Sequence, residues 1–387
     1  MMLLVLAIRV RVMPKEISQS FDVTVIGAGV AGLMLTKKLS ELGLHTALIE
    51  KQPKLAGGPS TRNEGWLHRG TYHATSIKDR ANAIQVAKRC IYGHEQIKRF
   101  APEALEDIDL PSFALIRNPD SVDEAVSRWN EADVLYKCVL LRQLAELEPN
   151  VKTDNIAAAF QVNDVGINTR ILYRKLLTAA ENAGAQIFPG SELVFQKPEE
   201  AGIKRNGEVQ PIESKLFVYT AGFGVRQLFD SNFNLSVPVR YWKSHLLVVP
   251  RLTKSSVFFI DPHEAGMMNH GDYSIVGLNE DAFQCDAPNY DCIEQGIQNI
   301  YEAMERFFYT IDDSKALPVA CIKTDLAEKS AAARSLNISI SEPIPNHICV
   351  LPGKMTESPY VTDYLTRMVY ERINDDLIAL RPMDTIK

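Results

Sequence analysis

The chain has 387 residues, of which 46% are apolar and 23% charged, with a net charge of -6. At about 100–200 residues per domain this is a folded protein of two or three domains, or one large interleaved unit, and not a disordered chain. An acidic balance argues against a nucleic-acid partner, and no apolar run reaches the roughly 18 residues that a membrane-spanning helix needs.

Residues 1–7 are apolar and are followed by Arg9 and Arg11, the reverse of a signal peptide's charge order. Residues 1–20 therefore read as an extension outside the core, with Met13 an alternative start. Residues 21–26 form a short apolar run of the kind expected for a buried parallel strand. A glycine turn, Gly27-Ala28-Gly29-Val30-Ala31-Gly32, leads into Leu33, Leu35, Leu39 and Leu42 at near-helical spacing, and Gly43 ends the helix. A second strand, 45–49, closes on Glu50, completing a β-α-β unit.

A loop rich in Gly, Pro, Ser and Thr spans 53–62, and 77–100 carries a long helical pattern. The mixed, charged stretch 118–150 reads as small excursions. Helix 169–184, with Asn168 as N-cap, precedes strand 186–188. Strand 216–220 runs into Ala221-Gly222-Phe223-Gly224, whose glycines suit a close backbone approach to a ligand. Segments 239–249, 257–260 and 273–278 read as antiparallel strands, 292–308 as a helix, 347–351 as a last strand and 359–377 as the closing helix. The expected fold is α/β. A Rossmann-like domain (21–100, 150–232 and 322–387) is interleaved with a mixed or antiparallel-sheet substrate domain (101–149 and 233–321).

Cys90, Cys138, Cys285, Cys292, Cys321 and Cys349 are scattered and form no CxxC pair. That pattern fits neither a zinc ribbon, a disulfide scaffold nor a redox dithiol, and it suits core thiols of a reducing, cytoplasmic compartment.

The glycine turn has a specific chemistry. Gly27 permits the tight turn, Gly29 lets a pyrophosphate approach the backbone, and Gly32 lets helix and strand pack closely. The pyrophosphate then rests on a helix N-terminus, where N–H groups and the dipole favour negative charge. Glu50, at the end of the second strand, is placed to hold the ribose hydroxyls, with Lys51 beside it. One such motif, with no CxxC, leaves two readings: a flavoprotein reduced by an organic substrate, or a nicotinamide enzyme.

The next segment separates them. Pro59-Ser60-Thr61-Arg62-Asn63-Glu64-Gly65-Trp66-Leu67-His68-Arg69-Gly70-Thr71-Tyr72-His73 resembles the flavin-approach loop of the D-amino-acid oxidase superfamily. It is most similar to the branch holding L-2-hydroxyglutarate dehydrogenase and FAD-dependent glycerol-3-phosphate dehydrogenase. There a segment [RH]-N-[SE]-G-x-x-H-x-G-x-Y follows the ribose-binding acid; Arg62, Asn63, Gly65, His68, Gly70 and Tyr72 match it. The stretch from Val165-Gly166 to Ile187 and the turn Val218-Tyr219-Thr220-Ala221-Gly222 agree with the same pattern. So does Leu351-Pro352-Gly353-Lys354-Met355-Thr356, which resembles the branch's closing Gly-Gly-Lys-x-Thr. Pro352 for Gly, Arg62 for His, Trp242 for Gly and Lys323 for Arg depart from the pattern, and they concentrate on the substrate side.

The resemblance implies FAD as cofactor. It would be held by the glycine turn and Glu50, and by Ser60, Thr61, Arg62, Asn63, Gly65, Trp66 and Leu67 of the loop. Ala221 and Gly222, then Gly353, Lys354, Met355 and Thr356, complete the expected contacts. Lys354 would add positive charge at the N1/C2=O edge of the flavin, and Trp66 reads either as a ring beside the flavin or as a core aromatic.

His68 is the expected base for an alcohol substrate, against a structural role in the flavin loop or a covalent flavin link at His68 or His73. Arg240, Lys243 and His245, and likewise Lys323, are candidates to bind a carboxylate or phosphate. Strand alternation puts Arg240, Trp242 and Ser244 on one face and Tyr241, Lys243 and His245 on the other. Asp261, His263, Glu264 and His270 have no standard metal-ligand spacing, so no metal is expected.

The expected function is hydride transfer from the C–H of a small, anionic hydroxy acid or polyol phosphate to flavin N5, with oxygen, a quinone or a carrier protein as electron acceptor. The alternatives are an amine or amino-acid oxidase of the same superfamily, and a non-catalytic flavin-binding protein.

Overall fold

Both faces of the first strand are buried, because helices pack on one side of its sheet and a second layer on the other. In the computed structural model, which describes residues 19–55, 57–197, 200–279, 282–326 and 337–374, that strand is Gln19–Ile26. It pairs in parallel with Thr46–Glu50 on one side and Glu208–Tyr219 on the other. Gln186–Pro189 and His347–Leu351 extend the parallel layer at its two ends. Apart from Gln19 and Ser20, the N-terminal extension lies outside the described residues, as does the end of the closing helix beyond Asn374.

Helices Val30–Glu41, Thr169–Asn182 and Ser358–Asn374 cover one face of this sheet. Leu33, Leu35 and Leu39 are fully buried there against Leu172, Leu176 and Leu365, each contributing about 1.5–3 kcal/mol by leaving water. Asn168 caps the second of these helices, its side chain accepting from Ile171 N–H at 3.3 Å. The long helix is Arg80–Phe100, and it starts three residues later than 77 because Asp79 is its N-cap, accepting from Asn82 N–H at 2.7 Å.

The strand expected at 216–220 begins at Glu208 and carries an antiparallel extension, Glu192–Lys197 and Glu200–Arg205. Its first half is largely exposed and polar, so no apolar run announces it. The turn signal was Asn206-Gly207, both at positive φ (51° and 88°), a pair suited to a tight hairpin.

The second sheet is mixed. Val239–Pro250 pairs antiparallel with Tyr273–Leu278 and Leu317–Leu326, and Ala265–His270 joins Tyr273–Leu278 to Ser256–Phe259. Ser256–Phe259 then runs parallel to Ser112–Ile116, followed by Ala158–Val162 and Tyr136–Val139. Residues 158–162, assigned by sequence to the first layer, thus hydrogen-bond within the second. The helix Glu294–Phe307 packs Ile300, Met304 and Phe307 on one face of this sheet, against Leu247, Met267 and Val276. The opposite face, at Trp242, Ser244, Gly266 and Gly277, lines a cavity between the layers. Among the described residues, no helix is long and apolar enough to cross a membrane.

Candidate active site

The glycine turn sits where the parallel strands end. Gly27 has φ 102°, and a Cβ there would fall 2.5 Å from Ala221 Cα. A Cβ on Gly32 would fall 2.1 Å from Gly27 O, so the helix lies directly on the turn. Thr220 ties the two turns together, its hydroxyl donating to Gly27 O at 2.8 Å.

Gly29 is the N-cap of the first helix. Val30 N–H, one of the donors that a helix start leaves unpaired, reaches Ser60 Oγ at 3.1 Å. Glu50 accepts from Ala28 N–H and Gln52 N–H, both at 2.9 Å, which fixes the carboxylate beside the turn. Lys51 is directed elsewhere: it is exposed and pairs with Glu192 at 3.0 Å.

These groups open on a cavity of about 1070 Å³, at the upper end of the roughly 300–1,000 Å³ of ligand pockets. Ala28, Gly29, Glu50, Ser60, Ala221 and Gly222 line it together with Trp66, His68, Tyr72, Trp242 and Lys323, and Gly353 to Thr356 are also on the wall. Gly222, at φ 54°, has nothing within 4 Å of where a Cβ would stand. Thr61, Gly65 and Leu67 are not part of the wall; Leu67 is buried in the core and Gly65 is packed under the His270 ring. A fixed carboxylate, a helix N-terminus and bare backbone at Gly29 and Gly222 are what an adenine dinucleotide needs, so the residues present fit FAD.

The loop after the first β-α-β unit is built by its own side chains. Asn63 donates to Pro59 O and accepts from Gly65 N–H, each at 2.8 Å. The Arg62 guanidinium lies over the Tyr290 ring, 4.2 Å from its centroid. Trp66 is buried against His68 and Phe258, both with ring centroids 4.3 Å away. Its indole N–H donates to Asp164 at 2.9 Å.

His68 lines the cavity with its backbone N–H on Thr356 Oγ at 3.3 Å. Burial, and then the positive charges of Lys354 and Lys323, push its imidazole well below the ordinary histidine value, so the ring is neutral at pH 7. Lys323 forms an ion pair with Glu64 at 3.4 Å. Burial would raise the Glu64 carboxyl, but Lys323, a hydrogen bond from its own backbone N–H and Lys354 together outweigh it and hold the group below the usual carboxylate range.

The other cationic candidates part company along one strand. Trp242 and Ser244 face the cavity. Lys243 is buried on the opposite face and donates to Asp291 O at 2.7 Å, while His245 accepts from Ile293 N–H at 3.0 Å. Arg240 is not part of the cavity wall; its guanidinium turns to the Gln284 side-chain amide. Asp261 accepts the Arg117 backbone N–H at 2.8 Å and Glu264 pairs with Arg117 at 2.6 Å, whereas His270 lies between Glu106 and Glu64 O. Sequence reasoning missed Glu64, which stands inside the matched loop, and Asp164, whose only signal was its place just before Val165-Gly166.

The family model described as DAO, FAD dependent oxidoreductase, matches residues 22–323. One component of the anaerobic glycerol-3-phosphate dehydrogenase of Escherichia coli (strain K12) is 28% identical over 214 residues, covering 53% of this chain and 38% of that protein. Across the curated relatives matched, the aligned part spans 38% to 53% of their length. The solved structure of L-proline dehydrogenase from P. horikoshii superposes with a TM-score of 0.72 at 13% identity, covering 92% of this chain and 94% of that one. L-alpha-glycerophosphate oxidase from Mycoplasma pneumoniae, with FAD bound, gives 0.71 at 18% identity, covering 91% and 95%. At these identities the structural likeness is one of fold.

Proposed function

The chain belongs to the DAO family of FAD-dependent oxidoreductases, and on that premise we propose that it oxidises a small anionic hydroxy acid or polyol phosphate at the C–H beside a hydroxyl. FAD, when bound, supplies the hydride acceptor. The protein's part is to bind and orient the substrate and to take its hydroxyl proton. His68, neutral at pH 7, takes that proton on its ring. Lys323 attracts the carboxylate or phosphate, and Glu64 tempers the attraction through their ion pair. Lys354, on the turn at Gly353 just ahead of the helix Ser358–Asn374, adds positive charge to the same cavity.

One observation carries the reading: the neutral imidazole of His68 and the ammonium groups of Lys323 and Lys354 line the same cavity as the dinucleotide cradle. The relatives named glycerol-3-phosphate dehydrogenase favour a polyol phosphate over other alcohols. The test is an anaerobic screen of the purified FAD-loaded protein. Bleaching of the flavin by glycerol 3-phosphate or a 2-hydroxy acid supports the reading. Bleaching by amines or amino acids alone replaces it with an amine oxidase, and no bleaching by any of them replaces it with a flavin-binding protein that does not turn over.

A further inference from the structure

We propose that Asp164 is a positioning residue that sets the tautomer of His68, keeping the proton on Nδ1 and the Nε2 lone pair toward the cavity; this rests on the reading of His68 as the base.

Asp164 lies between the strands Ala158–Val162 and Val165–Ile167 and is 1% exposed. Its Oδ1 accepts the Trp66 indole N–H at 2.9 Å and the Arg69 backbone N–H at 3.0 Å, and its Oδ2 accepts the Thr71 hydroxyl. Neither N–H group can act as an acceptor, so Oδ1 is a lone-pair oxygen with no proton of its own. Residues 66–71 therefore wrap around one buried carboxylate. Burial raises the carboxyl above its ordinary value, and the three donors oppose that rise.

Within this wrap, His68 Nδ1 is buried without a hydrogen-bond partner, 4.0 Å from Asp164 Oδ1. His68 lines the cavity, and of its two ring nitrogens Nδ1 is the one shut away without a partner, which leaves Nε2 as the nitrogen for the cavity side. If Nδ1 held its lone pair toward Oδ1, two electron-rich atoms would face each other without a proton between them. With the proton on Nδ1, an N–H points at the carboxylate and Nε2 is free to accept. Such contacts are commonly long before substrate binds and tighten in the complex.

The step balances with this tautomer. The substrate C–H bond breaks and its hydrogen leaves with the electron pair, a hydride that FAD would accept when bound. The C=O forms as the hydroxyl proton moves to Nε2, and the resulting imidazolium faces Asp164, which stays a carboxylate. Lys354, Lys323 and His94 all lower the ring's basicity, and the carboxylate that lies 4.0 Å from Nδ1 is that of Asp164.

Two measurements test this on the FAD-loaded protein. With ¹⁵N-labelled histidine and His68→Gln to assign the signal, His68 is expected as the Nδ1–H tautomer; an Nε2–H tautomer in the wild type overturns the proposal without any variant at Asp164. Asp164→Asn keeps the side-chain volume and an oxygen for the two N–H groups but removes the charge. It is expected to keep its flavin and to slow flavin reduction by about 10²–10⁴-fold, with the tautomer signal moved toward Nε2–H. A flavin-loaded Asp164→Asn that reduces within twofold of wild type overturns the proposal. Full-rate reduction by His68→Ala is a different failure: it removes the base reading itself.

Discussion

Glu64 Oε1 lies 3.4 Å from Lys323 Nζ, joining the loop that follows the β-α-β unit to the strand Leu317–Leu326 across the cavity. The carboxylate is held ionised beside two lysines, so it competes with any anion that Lys323 attracts. Glu64→Gln removes the competitor and leaves the ammonium. Binding of a small carboxylate or phosphate, followed through the flavin spectrum, is expected to tighten by roughly tenfold, about 1.4 kcal/mol. Lys323→Met is expected to abolish the gain.

The glycine turn has no room for side chains. Gly27→Ala meets Ala221 Cα at 2.5 Å and Gly32→Ala meets Gly27 O at 2.1 Å. Each is expected to lose bound FAD, read as the ratio of flavin to protein absorbance after purification, with overpacking of about 1–3 kcal/mol. Gly43, at φ 85° with nothing within 4 Å, is the control. Gly43→Ala is expected to lower stability by about 1–2 kcal/mol and keep its FAD.

Acid should unfold the protein through its buried neutral histidines. Burial lowers both His94 and His347 from 6.5 to about 4. Between those values the unfolded chain binds the protons and the folded one does not, so stability falls as pH drops from 6.5 toward 4. Each group accounts for roughly 3 kcal/mol over that window. Urea unfolding at pH 7 and pH 5 measures it, and His94→Gln is expected to flatten the slope.

His68 gives the reaction its own pH signature. Its value is well below 6.5, from burial and then from Lys354 and Lys323. The rate of flavin reduction by substrate is expected to hold from pH 7 down past 6.5 before it falls. Lys323→Met or Lys354→Met removes one of the neighbouring charges and is expected to move the fall to higher pH.

How much of this was legible follows from what each feature depends on. The βαβ unit was legible because its signals are local: an apolar run, three glycines with fixed backbone roles, and an acid at a strand end. The strand Ala265–His270 was not, since Gly266, Asn269 and His270 are poor strand formers and its register comes from Tyr273–Leu278. Alternation separated the two faces of Val239–Pro250, but it could not say which one meets the cavity. That is decided by the helix Glu294–Phe307, where a Cβ on Gly296 would fall 2.3 Å from His245 Nδ1, so this helix claims the Lys243 and His245 side. Asp164 escaped because a lone aspartate carries no pattern; its role depends on three donors some 93 to 98 residues away.

The central claim is that His68 takes the substrate's proton beside bound FAD. The most direct measurement is rapid-mixing anaerobic reduction of the flavin in wild type and His68→Ala, each loaded with FAD, by whichever hydroxy acid or polyol phosphate bleaches the wild type. The account predicts equal flavin content and reduction slowed by about 10²–10⁴-fold in the variant. Equal flavin content with an unchanged rate would contradict it.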